Sequence, residues 1–212
     1  MPVKTDPCSL ALSDITAGIH ALASTGHAAW QEGLMTGFSG NMSLRINDDR
    51  ILLTAAGTRK GQLETEDFVV VSAEGELLAG GGRPSSESGL HTALYAAFEN
   101  CAAIIHAHPP RMQALELVLT QRHKCLANEF MSLDLFEAGL WRSRLAYAES
   151  VPPGSPELAQ TAVAALRPIV AAGMPCAVWL PRHGLCALGE TPAQALGITE
   201  ELEHLAGVQL LV

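Results

Sequence analysis

The sequence has few positive charges and no long uninterrupted apolar segment. Thirteen lysines and arginines stand against 22 aspartates and glutamates, which gives a formal net charge of −9. Proteins that bind nucleic acid or anionic membranes through their overall charge need a basic surface, so this balance disfavours both classes. No stretch approaches the ~18 consecutive apolar residues expected of a membrane-spanning helix. We therefore predict a protein that has neither nucleic-acid nor membrane partners.

Cysteine-pairing motifs and a secretory signal are absent as well. The chain has an odd number of cysteines without CxxC spacing: Cys8, Cys101, Cys125, Cys176 and Cys186. Such a pattern favours free thiols in a reducing compartment. The N-terminal segment lacks the apolar core of a signal peptide. Together these absences predict a cytoplasmic protein.

The size and hydrophobic content predict one packed domain. The 212 residues are 48% hydrophobic and 17% charged, which is typical of a globular protein with a substantial core. Aromatic residues, at 5%, contribute little to that core. Because neither an internal repeat nor a linker divides the chain, we predict a single domain over residues 1–212.

The spacing of apolar residues predicts an alternation of helices and strands. Helices are predicted over residues 9–32, from Ser85 or Ser86 to about 99, and over 111–120, 155–173 and 191–210. Strands are predicted over 42–46, 50–54, 68–72, 76–79, 102–108, 176–180 and 185–188, whereas 123–150 fits neither pattern. This order predicts an α/β fold with three layers, α/β/α, in which helices cover both faces of a central, largely antiparallel sheet.

Two histidines at the end of a predicted strand carry the strongest chemical signal. His106 and His108 follow the apolar run 102–105 and precede two prolines that end the strand. Side chains two residues apart on a strand leave the same face, so both imidazoles point one way. A catalytic metal normally takes three protein ligands, and His183, in a predicted turn beside Gly184, is the best third candidate. The alternatives are a backbone-bonded histidine pair and an ordinary surface histidine in the turn.

Other polar residues have two interpretations each. Glu87 lies where a loop becomes a helix, so it either stabilises the helix start or acts as an acid/base. Arg59 and Lys60 are expected to be solvated loop charges, although either could bind an anion. Five histidines have no partner at ligand spacing and are expected to be structural or exposed: His20, His27, His91, His123 and His204.

Five motifs occur in the order and approximate spacing of the class II aldolase and adducin family, which the sequence resembles over about residues 15–205. They are GN at 40–41, LTAAG at 53–57, PSSE at 84–87, HAHP at 106–109 and RHGL at 182–185. The resemblance implies the fold of that family and a small sugar phosphate as substrate. It also implies a homotetramer with active sites at subunit boundaries.

The resemblance assigns roles to individual residues. In fuculose-phosphate-type aldolases of the family, zinc is bound by the histidines that correspond to His106, His108 and His183; imidazole ligands also suit other divalent transition metals. The catalytic acid/base corresponds to Glu87, and the phosphate ligands correspond to Asn41, Gly57, Ser85 and Ser86. The implied activity is that of a lyase, cleaving a small ketose phosphate by a retro-aldol reaction through a zinc-stabilised enediolate.

Departures from the aldolase pattern leave two alternatives open. Ala56 replaces a threonine or serine of the phosphate loop, and Glu129-Phe130 occupies the region where these aldolases carry a catalytic tyrosine. Methylthioribulose-1-phosphate dehydratases, which belong to the same superfamily, place a glutamate acid/base about twenty residues after the histidine pair. Glu129 follows His108 by 21 residues (129 − 108). A dehydratase that uses Glu129 is therefore one alternative, and a non-catalytic adducin-like binding module is the other; PSSE and HAHPP favour the aldolase narrowly.

Overall fold

A mixed β-sheet forms the centre of the structure, a computed structural model that describes residues 7–130 and 132–212. Its strands are β1 (Asn41–Asn47), β2 (Arg50–Thr54), β3 (Phe68–Ser72), β4 (Leu77–Ala79), β5 (Ala103–Ala107), β6 (Leu145–Tyr147), β7 (Cys176–Leu180) and β8 (Gly184–Gly189). They lie in the order β4-β3-β2-β1-β5-β8-β7-β6. Neighbouring strands are antiparallel except β6 and β7, which are parallel. The predicted largely antiparallel sheet is thus confirmed.

Helices cover both faces of this sheet. They are α1 (Pro7–Gln31), α2 (Ser88–Ala97), α3 (Pro110–Gln121), α4 (Leu126–Glu129), α5 (Phe136–Arg142), α6 (Pro156–Val170) and α7 (Pro192–Leu211). One core lies beneath α1, α3 and α7, and a second lies beneath α2 and α6. The three-layer α/β/α prediction is confirmed. Among the described residues, no helix is both long enough and apolar enough to cross a membrane.

Strand β5 is buried on both faces, which explains its continuous apolar sequence. Ile104 belongs to the core beneath α2, whereas Ile105 belongs to the core beneath α3. Since side chains alternate along a strand, His106 shares the α2 face with Ile104. The strand ends at Ala107, and His108 lies just beyond it.

Local signals account for the starts of two long helices. Ser155 accepts a hydrogen bond from the Leu158 amide, and Thr191 accepts one from the Gln194 amide. Each cap satisfies an amide that lacks a partner within its helix and typically contributes about 1 kcal/mol. A proline follows each cap, where its fixed φ angle suits the first helical position.

Two predictions of local structure need correction. Helix α2 begins at Ser88 rather than at Ser85 or Ser86, because the Ser85 Oγ accepts the Glu87 amide within the preceding turn. Glu87 itself occupies the position before the helix, without a side-chain cap. The unassigned region 123–150 contains α4, α5 and β6, which are too short to produce a periodic pattern.

A buried carboxylate connects α7 to the start of α3. Glu203 accepts hydrogen bonds from the Arg111 amide at 2.9 and 3.0 Å and from the Met112 amide at 3.0 Å. These amides lie in the first turn of α3 and have no partner within it. Glu203 therefore caps a helix that is distant in sequence.

Candidate metal centre and active site

The strand register brings the polar residues of the site together. On β1, Asn41 lies opposite His106, and on β8 Cys186 lies opposite the same histidine. Beyond the strand, His108 is held by a hydrogen bond from its amide to the Leu34 carbonyl, at 3.0 Å. The site is thus built on the central strands of the sheet.

Three histidines converge at the end of β5. The Nε2 atom of His106 lies 3.2 Å from His183 Nε2 and 3.1 Å from His108 Nε2. His106 Nδ1 lies 3.0 Å from the Leu185 carbonyl oxygen, which can only accept a hydrogen bond. A neutral His106 therefore carries its proton on Nδ1 and directs the Nε2 lone pair at the other two rings.

The electrostatics of the cluster suit a bound cation. Burial lowers the pKa of His106 well below its usual value, and the neighbouring His108 and His183 act in the same direction. Burial also lowers the pKa of His108. Glu87 adds its Oε2 at 3.2 Å from His106 Nε2 and its Oε1 at 3.2 Å from His183 Nε2. Three imidazole nitrogens beside a carboxylate form a donor set that fits a divalent transition metal.

Helix α3 holds the turn that presents His183. Arg182 adopts a φ angle of 63°, and its amide donates to the Glu116 carboxylate at 2.9 Å. Gln113 Nε2 donates to the His183 carbonyl at 3.0 Å. Gly184 is also required, because a Cβ there would contact the Ala107 carbonyl and the His108 ring. The sequence did not indicate the roles of Gln113 and Glu116, because both residues lie on α3 and bond to a turn that is distant in the chain.

A cavity of about 330 Å³ opens beside the histidines. Glu87, His108 and His183 line it together with all four predicted phosphate ligands, Asn41, Gly57, Ser85 and Ser86. A β-bridge between Ala55 and Pro84 joins the loop that carries Gly57 to the loop that carries Ser85 and Ser86, whereas Asn41 begins β1. The structure therefore places the predicted phosphate ligands and two of the three predicted metal ligands, His108 and His183, around one space, with the fully buried His106 behind them.

The expectation that Lys60 is a solvated loop charge is wrong. Its side chain lines the cavity, is 2% exposed, and donates from Nζ to the Thr58 carbonyl at 2.8 Å. Burial lowers the pKa of Lys60 from 10.5 to about 8, although Asp67 acts in the opposite direction. Gly61 packs directly on the Trp30 ring, which draws this short turn against α1. Arg59 is exposed, as expected.

Glu129 lies elsewhere in the chain. It ends α4, and its carboxylate is 3.1 Å from Lys124 Nζ, a pair that is largely solvent-exposed. Its backbone carbonyl accepts a hydrogen bond from Gln209 on α7. It is not among the residues that line the cavity, within the part of the chain that the structure describes.

The five remaining histidines divide into two groups. Four are exposed, as the sequence suggested: His20, His27, His123 and His204. His91 is 1% exposed and is hydrogen-bonded to Asn41 and Ser43. Nothing in its local sequence indicated that it lies directly behind Asn41 and Glu87.

Comparison with known proteins decides the family. The profile described as Class II Aldolase and Adducin N-terminal domain matches residues 20–210. The chain belongs to the class II aldolase and adducin family. A relative named 3-oxo-tetronate 4-phosphate decarboxylase, from Haemophilus influenzae, is 30% identical over 87% of this chain and 83% of its own length. A methylthioribulose-1-phosphate dehydratase from Granulibacter bethesdensis is 28% identical over 89% of each chain.

A solved structure supports the same assignment. An L-fuculose 1-phosphate aldolase superposes with a TM-score of 0.72 at 26% identity, covering 92% of this chain and 85% of that chain. The class II aldolase fold is therefore shown, and the relatives named above are a decarboxylase, a dehydratase and an aldolase. Its three clustered histidines agree with the metal dependence typical of the family.

Proposed function

We propose that the protein is a zinc-dependent lyase that cleaves a carbon–carbon bond of a small ketose phosphate by a retro-aldol reaction. One observation carries the proposal: the Glu87 carboxylate lies 3.2 Å from two of the three clustered histidines and lines the same cavity as the glycine loop that ends at Gly57. A substrate with a carbonyl at one end and a phosphate at the other would place its reacting bond beside Glu87.

His106, His108 and His183 would hold the metal, whose chemistry when bound is Lewis-acid polarisation of the substrate carbonyl. Glu87 accepts the proton of the hydroxyl group on the carbon beyond the bond that breaks. That hydroxyl becomes the carbonyl of the leaving aldehyde, and the electrons of the broken bond form an enediolate. The protonated Glu87 then gives this proton to the enediolate carbon, so the cleavage neither consumes nor releases a proton overall. Glu87 Oε1 suits this role because it is buried, accepts no hydrogen bond, and lies 3.2 Å from the Nε2 atom of the metal ligand His183.

The same cavity would bind the phosphate. Ser85, Ser86 and the backbone at Gly57 offer hydrogen-bond donors, and Gly57 adopts a φ angle of 77° that favours glycine. Lys60 adds a positive charge to the lining of the cavity. This charge supplies an anion-binding group near Ala56, where the usual hydroxyl of the family loop is missing.

The family resemblance supports three further proposals. Zinc is the proposed metal, the proposed assembly is a homotetramer with active sites at subunit boundaries, and the proposed location is the cytoplasm. Oligomeric state is measured directly by light scattering, and native metal content by elemental analysis.

The alternatives differ in their products. A retro-aldolase releases two carbonyl fragments, a decarboxylase such as the Haemophilus influenzae relative releases carbon dioxide, and a dehydratase releases one water molecule. Mass spectrometry of products from a panel of ketose, oxo-acid and methylthioketose phosphates separates the three. Fragments from a ketose phosphate would support the proposal. Loss of water alone would favour the dehydratase, and no turnover with any substrate would favour the binding module.

Glu129→Gln is expected to leave kcat within about twofold of the wild type, because the Glu129 carboxylate pairs with Lys124 and does not line the cavity of its own chain. An exposed pair of this kind contributes little to stability, so folding should also be unaffected. Kinetic assay of the purified variant measures the effect. A general acid/base contributes ~10²–10⁴-fold to rate, so a loss of that size would instead favour the dehydratase.

Lys60→Met is expected to weaken phosphate binding by ~10–100-fold, since a hydrogen bond to a charged group contributes about 1.5–3 kcal/mol. Calorimetric titration with inorganic phosphate measures the affinity. Arg59→Met is the matched control, because it removes the same charge from the exposed neighbouring residue. Equal losses in both variants would contradict a direct contact between Lys60 and phosphate.

The same lysine predicts a pH dependence. Lys60 loses its proton above pH about 8, so phosphate affinity should decrease there, whereas Lys60→Met should not show this decrease.

The folded protein holds the Lys60 proton less tightly than the unfolded chain does, so the Lys60 charge destabilises the fold at neutral pH. The fall in the pKa of Lys60 from 10.5 to about 8 corresponds to a loss of about 3 kcal/mol in the free energy of unfolding. Lys60→Met should therefore raise the melting temperature of the metal-free protein.

A further inference from the structure

Five polar side chains form a hydrogen-bonded chain that runs from α2 through the sheet face to Glu87. Tyr95 Oη lies 2.9 Å from Ser43 Oγ, which lies 2.6 Å from His91 Nδ1. His91 Nε2 bonds to Asn41 Oδ1, and Asn41 Nδ2 donates to Glu87 Oε2 at 2.8 Å. Every member is less than one-tenth exposed, so water does not compete for these bonds.

The donors and acceptors of this chain have a defined direction. The Glu87 carboxylate accepts from the Asn41 amide nitrogen, which turns the Asn41 oxygen toward His91. That oxygen can only accept, so His91 carries its proton on Nε2. Burial lowers the pKa of His91 to about 3, and the neutral ring must therefore accept at Nδ1 from the Ser43 hydroxyl. Because the Ser43 hydrogen is used on His91, Tyr95 Oη is the donor in its 2.9 Å contact with Ser43, a shorter contact than the 3.4 Å to the Ala102 carbonyl, the other acceptor near this hydroxyl.

The consequence is that the two carboxylate oxygens of Glu87 differ. Each oxygen lies 3.2 Å from one ligand histidine, Oε2 from His106 Nε2 and Oε1 from His183 Nε2, but only Oε2 also accepts a hydrogen bond, from the Asn41 amide. If Asn41 rotated by half a turn, its oxygen would face the carboxylate and the two acceptors would repel each other. The N–H of His91 prevents that rotation, because it requires an acceptor at the position of the Asn41 oxygen.

We propose that His91 is a positioning residue: through the Asn41 amide it fixes Glu87 so that Oε1 is the oxygen that exchanges a proton with the substrate. This inference rests on the proposed function for the role of Glu87 alone. It also gives Asn41 a task besides phosphate binding, since only one of its two amide hydrogens remains for a ligand.

The kinetic test compares His91→Leu with His91→Gln. Leucine removes both hydrogen bonds of His91. We expect kcat to fall by ~10–100-fold, which is the effect of a small misplacement of a catalytic group. KM and metal content should stay within about twofold of the wild type. Glutamine keeps one N–H and one carbonyl oxygen, and it is expected to restore kcat to within about fivefold of the wild type. Equal impairment by both variants, or a change in KM alone, would overturn the proposal.

A second measurement needs no turnover and separates this inference from the proposed function. Nitrogen-15 NMR of the wild-type protein at neutral pH is expected to show a neutral His91 with the proton on Nε2. Ser43→Ala, which removes the donor to Nδ1, is expected to shift the Nδ1 resonance toward that of a ring nitrogen without a hydrogen bond. A proton on Nδ1, or a charged ring, would overturn the proposal even in an active enzyme. If the spectrum is as expected but no substrate is turned over, only the proposed function is overturned.

Discussion

Glu87→Gln is expected to lower kcat by ~10²–10⁴-fold while metal content remains unchanged, because the amide cannot accept the substrate proton. The substitution preserves the size of the side chain, and its carbonyl oxygen can still accept the Asn41 amide. The three imidazoles do not depend on Glu87 for their positions, since His106 is held by the Leu185 carbonyl and the His183 turn by α3. Steady-state kinetics combined with elemental analysis measures both quantities.

Glu66→Gln is the matched control for that experiment. It makes the same change in charge at an exposed residue before β3, so it should leave both kcat and metal content unchanged. Activity that survived Glu87→Gln with bound metal would show that another group moves the proton. A loss of activity together with loss of metal would instead mean that the carboxylate acts mainly as a metal ligand.

His183→Ala is expected to abolish measurable turnover and to reduce bound metal from about one ion per chain to a small fraction, since a catalytic site normally needs three protein ligands. This histidine lies in a turn, so its removal disturbs the sheet less than removal of the fully buried His106. Elemental analysis and thermal unfolding with and without zinc provide the readouts. Zinc at about 100 times its Kd should stabilise the wild type by about 2.7 kcal/mol, and the variant far less.

His204→Ala, an exposed position on α7, serves as the control and should bind metal normally. Removing metal from the wild type with a chelator should eliminate turnover, and adding zinc should restore it. Full activity in wild-type protein that contains no divalent metal would contradict the proposed chemistry.

The chemistry of the site was visible in the sequence wherever residues close in the chain carry it. The alternation of His106 and His108 on a buried strand places both rings on one face, and this follows from strand geometry alone. The turn at Gly184 similarly indicated where a third ligand could approach. Most strands and long helices followed from apolar spacing and from caps such as Ser155.

The interactions that complete the site depend on contacts between distant segments. Lys60 resembles any loop lysine in sequence, and it is buried only because its turn packs against Trp30 of α1. His91 appears as one more residue on an amphipathic helix, and its task depends on the register that sets Asn41 opposite His106. Glu116 acts on a turn 66 residues away. Periodicity and motif spacing contain no information about such contacts.

The bond between Glu203 and the start of α3 gives the last helix an indirect part in metal binding. Helix α7 provides none of the three ligands, yet it holds the helix whose Gln113 and Glu116 side chains fix the turn at His183. Loss of α7 from this position would release α3 and so loosen the turn that presents His183. The affinity of His183 for the metal would then decrease, although the Glu203 bond is made to α3 and not to His183. Occupancy of the metal site and folding of the C-terminal helix are thus linked equilibria, and each must favour the other by the same free energy.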